Sequence, residues 1–322
     1  MTALPARIAS LPKAELHVHL EGSMQAATVA KIAARHGVVV TEEEVRRRYA
    51  YQDFVEFIET FKWVTSFLRE PADYGVIVQD FAEALLAQHV VYAEVTLSIG
   101  VMKLRGQNPQ ANFEAIVETA EAFESRGLRL RWVWDAVRQF GTEAALAVVE
   151  AAGECKSNKI VAFGIGGDER SIPAKEFRHV YGRAEDLGMR KLIHAGEVGG
   201  PENIREAIEH LRVERIGHGI AAFRDPALMD LLAERQIPLE VCPASNICTG
   251  ALDVQLGVTG ATIEQHPLPK LFRHGIPIVL STDDPTMFHT TLTGEYENAA
   301  NMGLEKAELE RIVEMGFTHA FR

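Results

Sequence analysis

Cysteine is scarce in this chain: Cys155, Cys242 and Cys248 are the three present in 322 residues. Three is too few and too odd for a disulfide framework, and Cys242 and Cys248 are poorly spaced for a metal pair. The expectation is reduced thiols in a cytoplasmic protein. Basic charge is in the minority as well, with 33 Lys+Arg against 45 Asp+Glu and a formal net charge of −12. Nucleic acid and anionic membrane are therefore poor candidates as partners, because both are bound by Lys/Arg neutralising phosphates. No apolar run reaches the length needed to span a bilayer. The opening MTALPARIASLPKAELH lacks the apolar core and small-residue cleavage site of a secretory signal. Several catalytic signatures are also missing: G-x-x-x-x-G-K-[ST], G-x-S-x-G, and the paired H-x-E and P-C-x-x-C of one deaminase class. The run FGIGGDE has Gly164, Gly166 and Gly167 but no third glycine in dinucleotide register. What is present is a chain that is 47% hydrophobic, enough for a sizeable core and too much for general disorder.

Short β-rich runs alternate with helical patterns almost throughout. The expected strands are 14–20 (AELHVHL), 90–98 (VVYAEVTLS), 129–137 (RLRWVWDAV), 160–167 (IVAFGIGG), 190–197 (RKLIHAGE), 215–219 (RIGHG), 238–245 (PLEVCPAS) and 276–284 (IPIVLSTDD). Helical patterns lie between them at 109–126, 142–153, 173–187, 201–210 and 225–235, several opening on Pro or a capping residue. Strand followed by helix, repeated in this way, is the pattern of parallel βα units. The expected fold is α/β, a closed (β/α)8 TIM barrel forming a single domain over 1–322, with an open doubly wound sheet as the alternative.

One insertion interrupts the alternation, at about 24–89, between the first and second strands. Residues 25–36, 42–49, 53–68 and 72–88 read as four helices. In 53–68, Phe54, Phe57, Phe61 and Val64 fall on one helical face. Such a stripe serves as core packing or as the underside of a lid, since the βα loops of a barrel open onto its active face.

The chemistry-bearing residues gather at strand ends. In ELHVHLEG, His17 and His19 share one face of a strand because side chains alternate with period two, which makes half a metal site. His194 ends the fifth strand in KLIHAGE, His218 the sixth in RIGHG, and Asp283 and Asp284 the eighth in STDDP. In a barrel all these groups converge on the C-terminal rim. Imidazoles with a carboxylate suit a divalent transition metal, zinc first. Glu197, three residues beyond His194, stands close enough to act as an acid or base. The fourth strand carries no Lys to bridge two ions, so one zinc per chain is expected.

HVHLEG, GGDE, HAGE, GHG and TDDP, in this order, resemble the adenosine deaminase family of zinc aminohydrolases, over nearly the whole chain. The resemblance implies a (β/α)8 barrel with one zinc and hydrolytic removal of the 6-amino group of an adenine ring. It implies His17, His19, His194 and Asp283 as zinc ligands and Glu197 as proton donor to ring N1. It implies His218 as the residue that orients the zinc water and helps deprotonate it. Asp284 becomes the partner of purine N7, Gly167 the backbone donor to N3, and 53–68 the helical lid.

Adenosine-specific members of the family usually read HLDG, with the Asp on the ribose; here Glu21 stands in that place. HLEG resembles adenine deaminases and the aminodeoxyfutalosine deaminases of a menaquinone pathway, whose nucleoside substrate carries an aromatic acid beyond the 5′ position. GIGGDE, CPASN and Thr282 in STDDPTMF resemble the second group more. The expected substrate is thus a small-molecule 6-aminopurine nucleoside, aminodeoxyfutalosine or adenosine, with free adenine as the alternative. An acidic extension would call for a cation at the mouth, and Lys103, Arg105 and Arg138 are candidates. His289, in TMFHTT, lies near the same rim.

Overall fold

A computed structural model describes residues 6–51 and 54–322. Eight strands form one sheet in sequence order: β1 (Lys13–His19), β2 (Val90–Leu97), β3 (Arg129–Val137), β4 (Ile160–Gly166), β5 (Arg190–Ala195), β6 (Arg215–His218), β7 (Leu239–Val241) and β8 (Ile278–Leu280). All seven consecutive pairings are parallel. The last strand returns to the first through a parallel bridge between Val18 and Asp283. There the His19 N–H donates to the Asp283 carbonyl at 2.8 Å, and the Asp283 N–H to the His17 carbonyl at 3.0 Å. The sheet therefore closes as a barrel, and the open alternative falls. The closing bonds run through three of the proposed metal ligands, His17, His19 and Asp283.

The expected strands match the observed ones closely except at the late ends. β7 stops at Val241 because Pro243 opens a helix, Pro243–Cys248, with the proline at its first turn. β8 likewise stops at Leu280, and Ser281–Asp284 continue as irregular backbone over the rim.

Alternation along the strands sorts the interior into layers. Trp132 and Trp134 point outward onto Phe113 of the helix Pro109–Glu124, at ring separations of 6.2 and 5.4 Å. Val133, Ala162 and Leu192 point inward and, with Phe321, form an apolar floor. Next to it lies a buried ionic layer. Arg215 donates to Glu94 at 2.5 Å and to Glu240 at 2.5 Å, with its guanidinium 3.6 Å from the centroid of the Phe321 ring. The third layer is the functional one. It has room for imidazoles because β4 and β6 place glycines there. A Cβ on Gly217 would stand 2.8 Å from the His17 ring, and one on Gly166 3.4 Å from His194.

The insertion is helical at Ala26–Arg35, Glu42–Tyr49, Phe54–Thr65 and Pro71–Ala87. Asp53 and the side chain of Phe54 lie outside the described residues. Phe57 and Val64 are buried. Phe57 packs 5.0 Å from the ring of Phe288, on the loop after β8. Tyr51 donates its hydroxyl to the Met287 carbonyl at 2.6 Å. The aromatic stripe thus joins the insertion to the active-face loop that carries Asp283 and Asp284. No helix of the described residues is long and apolar enough to cross a membrane.

Candidate active site

The four residues read as metal ligands come together. One donor atom each from His17, His19 and Asp283 lie within 4.8 Å of one another, and the same holds for His17, His194 and His218. Asp283 Oδ1 stands 3.6 Å from His17 Nε2 and 3.3 Å from His19 Nε2. The rings of His17 and His194 are 4.6 Å apart.

Neighbours fix how these groups point. His17 donates Nδ1–H to Glu240 at 2.7 Å, which leaves Nε2 as the nitrogen facing the cluster. That Nε2 is buried and has no protein partner. Ser245 donates its hydroxyl to Asp283 Oδ2 at 2.7 Å, turning Oδ1 toward the histidines. A buried imidazole nitrogen turned inward by Glu240, beside two further imidazoles and an anchored carboxylate, fits a divalent metal of zinc type. Burial pushes the His17 pKa down, but Asp283 and Glu240 outweigh it and raise it to about 10. Burial, with His17 nearby, holds His194 well below its usual range. Burial likewise lowers His19 to about 4. Asp283 is itself buried, which favours its neutral form, yet the surrounding histidines hold its carboxyl well below the usual range.

His218 Nε2 stands 3.7 Å from Glu197 Oε2 and 3.8 Å from Asp283 Oδ2. It too is buried without a partner. His218 and Asp283 both adopt left-handed backbone, with φ of 60° and 64°. Non-glycine residues rarely do so, and such strain collects where geometry serves a site.

Two carboxyls in the site are pushed toward their neutral forms. Burial raises Glu197 well above its usual range, with Asp283 and Glu169 adding to it. Burial and the adjacent Asp283 do the same to Asp284. Asp284 Oδ1 is buried and unpartnered. It lies against Gly22, where a Cβ would fall 1.7 Å from it, so the glycine of HLEG is what lets Asp284 reach inward. Gly167 has φ of 92°, and a Cβ there would meet Gln139 at 2.4 Å. Glu21 is buried; its Oε1 accepts the Ser98 N–H at 3.0 Å while Oε2 has no partner. Burial raises its pKa to about 7.

Several expectations need correction. Arg138 is fully buried and donates to the His194 carbonyl at 2.6 Å, so it is no mouth cation. Arg105 is bound to the insertion: it donates to the Thr65 carbonyl at 2.5 Å and the Lys62 carbonyl at 3.3 Å, capping the C-terminal turn of Phe54–Thr65. Of the three, Lys103 alone is exposed without such a role described. His289 Nε2 bonds the Tyr49 carbonyl at 3.0 Å and so ties the β8 loop to the insertion. The hydroxyl of Thr282 is engaged by Glu15 at 2.5 Å.

Sequence reasoning overlooked a supporting set. Glu169, the acid of GGDE, accepts the N–H groups of Gly196 at 2.7 Å, Glu197 at 2.6 Å and Val198 at 3.3 Å. Its motif was in view, but the motif alone does not say what it touches. Asp135, on β3, has a buried unpartnered Oδ1 and a pKa raised by burial to about 8. It sits against Gly164 and Gly166, within 3.4 Å of where their Cβ atoms would be. Glu240 and Arg215 carried no sequence signal beyond being charged residues inside expected strands, which is itself a usable one.

Comparison with known proteins agrees with this geometry. The family model described as adenosine deaminase matches residues 12–322. The aminodeoxyfutalosine deaminase of Streptomyces avermitilis is 38% identical over 301 residues, 92% of this chain and 82% of that one. The adenine deaminase of Chelativorans sp. is 33% identical over 313 residues, 97% of this chain and 94% of that one. A solved amidohydrolase from Burkholderia ambifaria, with bound zinc, superposes with a TM-score of 0.89 at 26% identity, covering 100% of this chain and 89% of that one. The chain belongs to the adenosine deaminase family, and it is a hydrolytic deaminase on a metal-dependent amidohydrolase fold.

Proposed function

We propose that the protein removes the 6-amino group of an adenine-ring nucleoside by zinc-dependent hydrolysis, giving the 6-oxo product and ammonia. The substrate is aminodeoxyfutalosine or adenosine, with free adenine as the competing reading. His17, His19, His194 and Asp283 would hold one zinc per chain. Bound there, the metal would bring the pKa of a coordinated water toward neutrality.

The observation that carries the reading is the pair of buried carboxyls, Glu197 and Asp284, flanking the cluster. Purine N1 and N7 are acceptors, so a carboxyl that meets either must bring a proton. Burial pushes both Glu197 and Asp284 toward their protonated forms. Glu197 donates its proton to N1, which makes C6 electrophilic and lets the ring take up electrons. His218, facing the same space, orients the attacking water. The water oxygen bonds to C6 and gives up both protons, one passing to the departing amine and the other restoring Glu197, as the C6–N bond breaks and the amine leaves as ammonia. Asp284 donates to N7 and the Gly167 N–H to N3, which fixes the ring plane. Phe54–Thr65 covers the site and excludes bulk water.

The nucleoside reading rests on the aminodeoxyfutalosine deaminases at 37–38% identity and on Glu21, which has an unpartnered Oε2 and lines a small cavity with Phe61, Tyr74 and Arg105. The adenine deaminases at 30–33% identity favour the competing base. Ammonia release from aminodeoxyfutalosine, adenosine and adenine at equal concentration separates them. Turnover of a nucleoside is expected; turnover of adenine alone would overturn the nucleoside reading.

A further inference from the structure

His218 is supported from behind by a chain of three hydrogen bonds whose direction can be worked out. The Leu268 N–H donates to His266 Nδ1 at 3.1 Å. A backbone N–H can only donate, so His266 Nδ1 must be the bare nitrogen and the proton of the neutral ring must sit on Nε2. Burial drives the His266 pKa down to about 3, in keeping with a neutral ring. His266 Nε2 meets Asn246 Oδ1 at 3.1 Å, which it can reach only as donor. The Asn246 amide is thereby oriented, and its Nδ2 meets His218 Nδ1 at 3.2 Å. An amide N–H can only donate, so His218 Nδ1 is an acceptor. A neutral His218 must then carry its proton on Nε2, the nitrogen that faces Glu197 and Asp283. His218, Asn246 and His266 are all buried, so water does not compete for these positions.

We propose that Asn246 and His266 are positioning residues that fix His218 as an Nε2–H donor toward the attacking oxygen. This rests on the deaminase reading above and narrows the role of His218 within it. A ring so held offers the water a hydrogen bond and has no lone pair on that side to take its proton. Glu197 Oε2, 3.7 Å away, is the group facing the same space that can accept one once it has given its own to N1.

The polarity also dictates which substitutions are tolerated. A Gln side chain has an acceptor and a donor spaced much as in a neutral imidazole, so His266→Gln keeps the chain directed as it is. His266→Leu removes it. Asn246→Asp replaces the amide donor with an acceptor and forces a proton onto His218 Nδ1.

The test is nitrogen NMR of the ¹⁵N-histidine-labelled full chain, zinc-loaded and metal-free, with His218 assigned by substitution. The expected result in both forms is a protonated Nε2 and a bare Nδ1, with Asn246→Asp moving a proton onto Nδ1. A bare Nε2 in the unsubstituted protein, or an unprotonated Nδ1 in Asn246→Asp, would overturn the proposal. In kinetics, His266→Leu should lower kcat by roughly 10–100-fold with zinc content retained, and His266→Gln should recover most of it. Equal loss in both variants would also count against it. Should His266→Leu fail to fold, the NMR result on Asn246→Asp decides. The NMR measurement needs no turnover, so failure of the deaminase reading would show separately, as an unsubstituted enzyme that releases no ammonia.

Discussion

The Glu169 carboxylate holds the backbone of Glu197: Oε1 accepts the Glu197 N–H at 2.6 Å while Oε2 accepts that of Gly196 at 2.7 Å. An ionised carboxylate presents acceptors only, which suits consecutive amides of a turn. Glu169→Gln would set an amide N–H against a backbone N–H. We expect a loss of about 1–3 kcal/mol in stability from the unsatisfied donor. A fall of roughly 10–100-fold in kcat should accompany it, from the displaced Glu197. Thermal melting and steady-state rates check both; unchanged values for the pair would show that the turn does not depend on Glu169.

Glu197 sets the pH dependence. As the proposed proton donor it must be neutral when substrate binds, and burial holds its pKa well above the ordinary carboxylate range. Activity is therefore sustained below that raised value and falls as pH rises through it. Glu197→Gln should cost about 10²–10⁴ in kcat while metal content stays the same. A rate that climbs with pH across the same range would assign the acid elsewhere.

Metal uptake should release protons. In the metal-free site His17, at about 10, carries a proton on Nε2 at neutral pH. His19 and His194 are neutral there and Asp283 is ionised. Zinc must displace the His17 proton, so affinity falls as pH falls below that value. Calorimetry in buffers of different ionisation heat should show the release near pH 7. Glu240→Gln, which weakens the hold on His17 Nδ1–H, should cut affinity by roughly 10–100-fold in a chelator competition. Proton-neutral binding would contradict the assignment of His17.

Gly22 is a space requirement. A Cβ there would stand 1.7 Å from Asp284 Oδ1, so Gly22→Ala must push Asp284 from its place. With Asp284 on N7, the expected effect is a raised KM with zinc binding intact. A normal KM in Gly22→Ala would place the N7 contact on another residue.

Much of this architecture was legible because it is local. β-rich runs alternating with helical patterns located the eight strands, and their order located the rim where His17, His19, His194, His218 and Asp283 meet. What stayed hidden depends on contacts far apart in sequence. Glu240 meets His17 across 223 positions, and Arg215 meets Glu94 across 121. Arg138 and Arg105 read as candidate cations at the mouth, yet each serves a backbone carbonyl across the fold. Burial and direction, which the sequence does not encode one residue at a time, decide such roles.

The central claim is most directly tested by turnover in ¹⁸O-labelled water. Chelator-treated enzyme should be inactive. After zinc is restored, it should convert the nucleoside to a 6-oxo product bearing the heavy oxygen at C6, with one ammonia released per product. Zinc-restored enzyme that releases no ammonia, or forms product without solvent oxygen at C6, would contradict it.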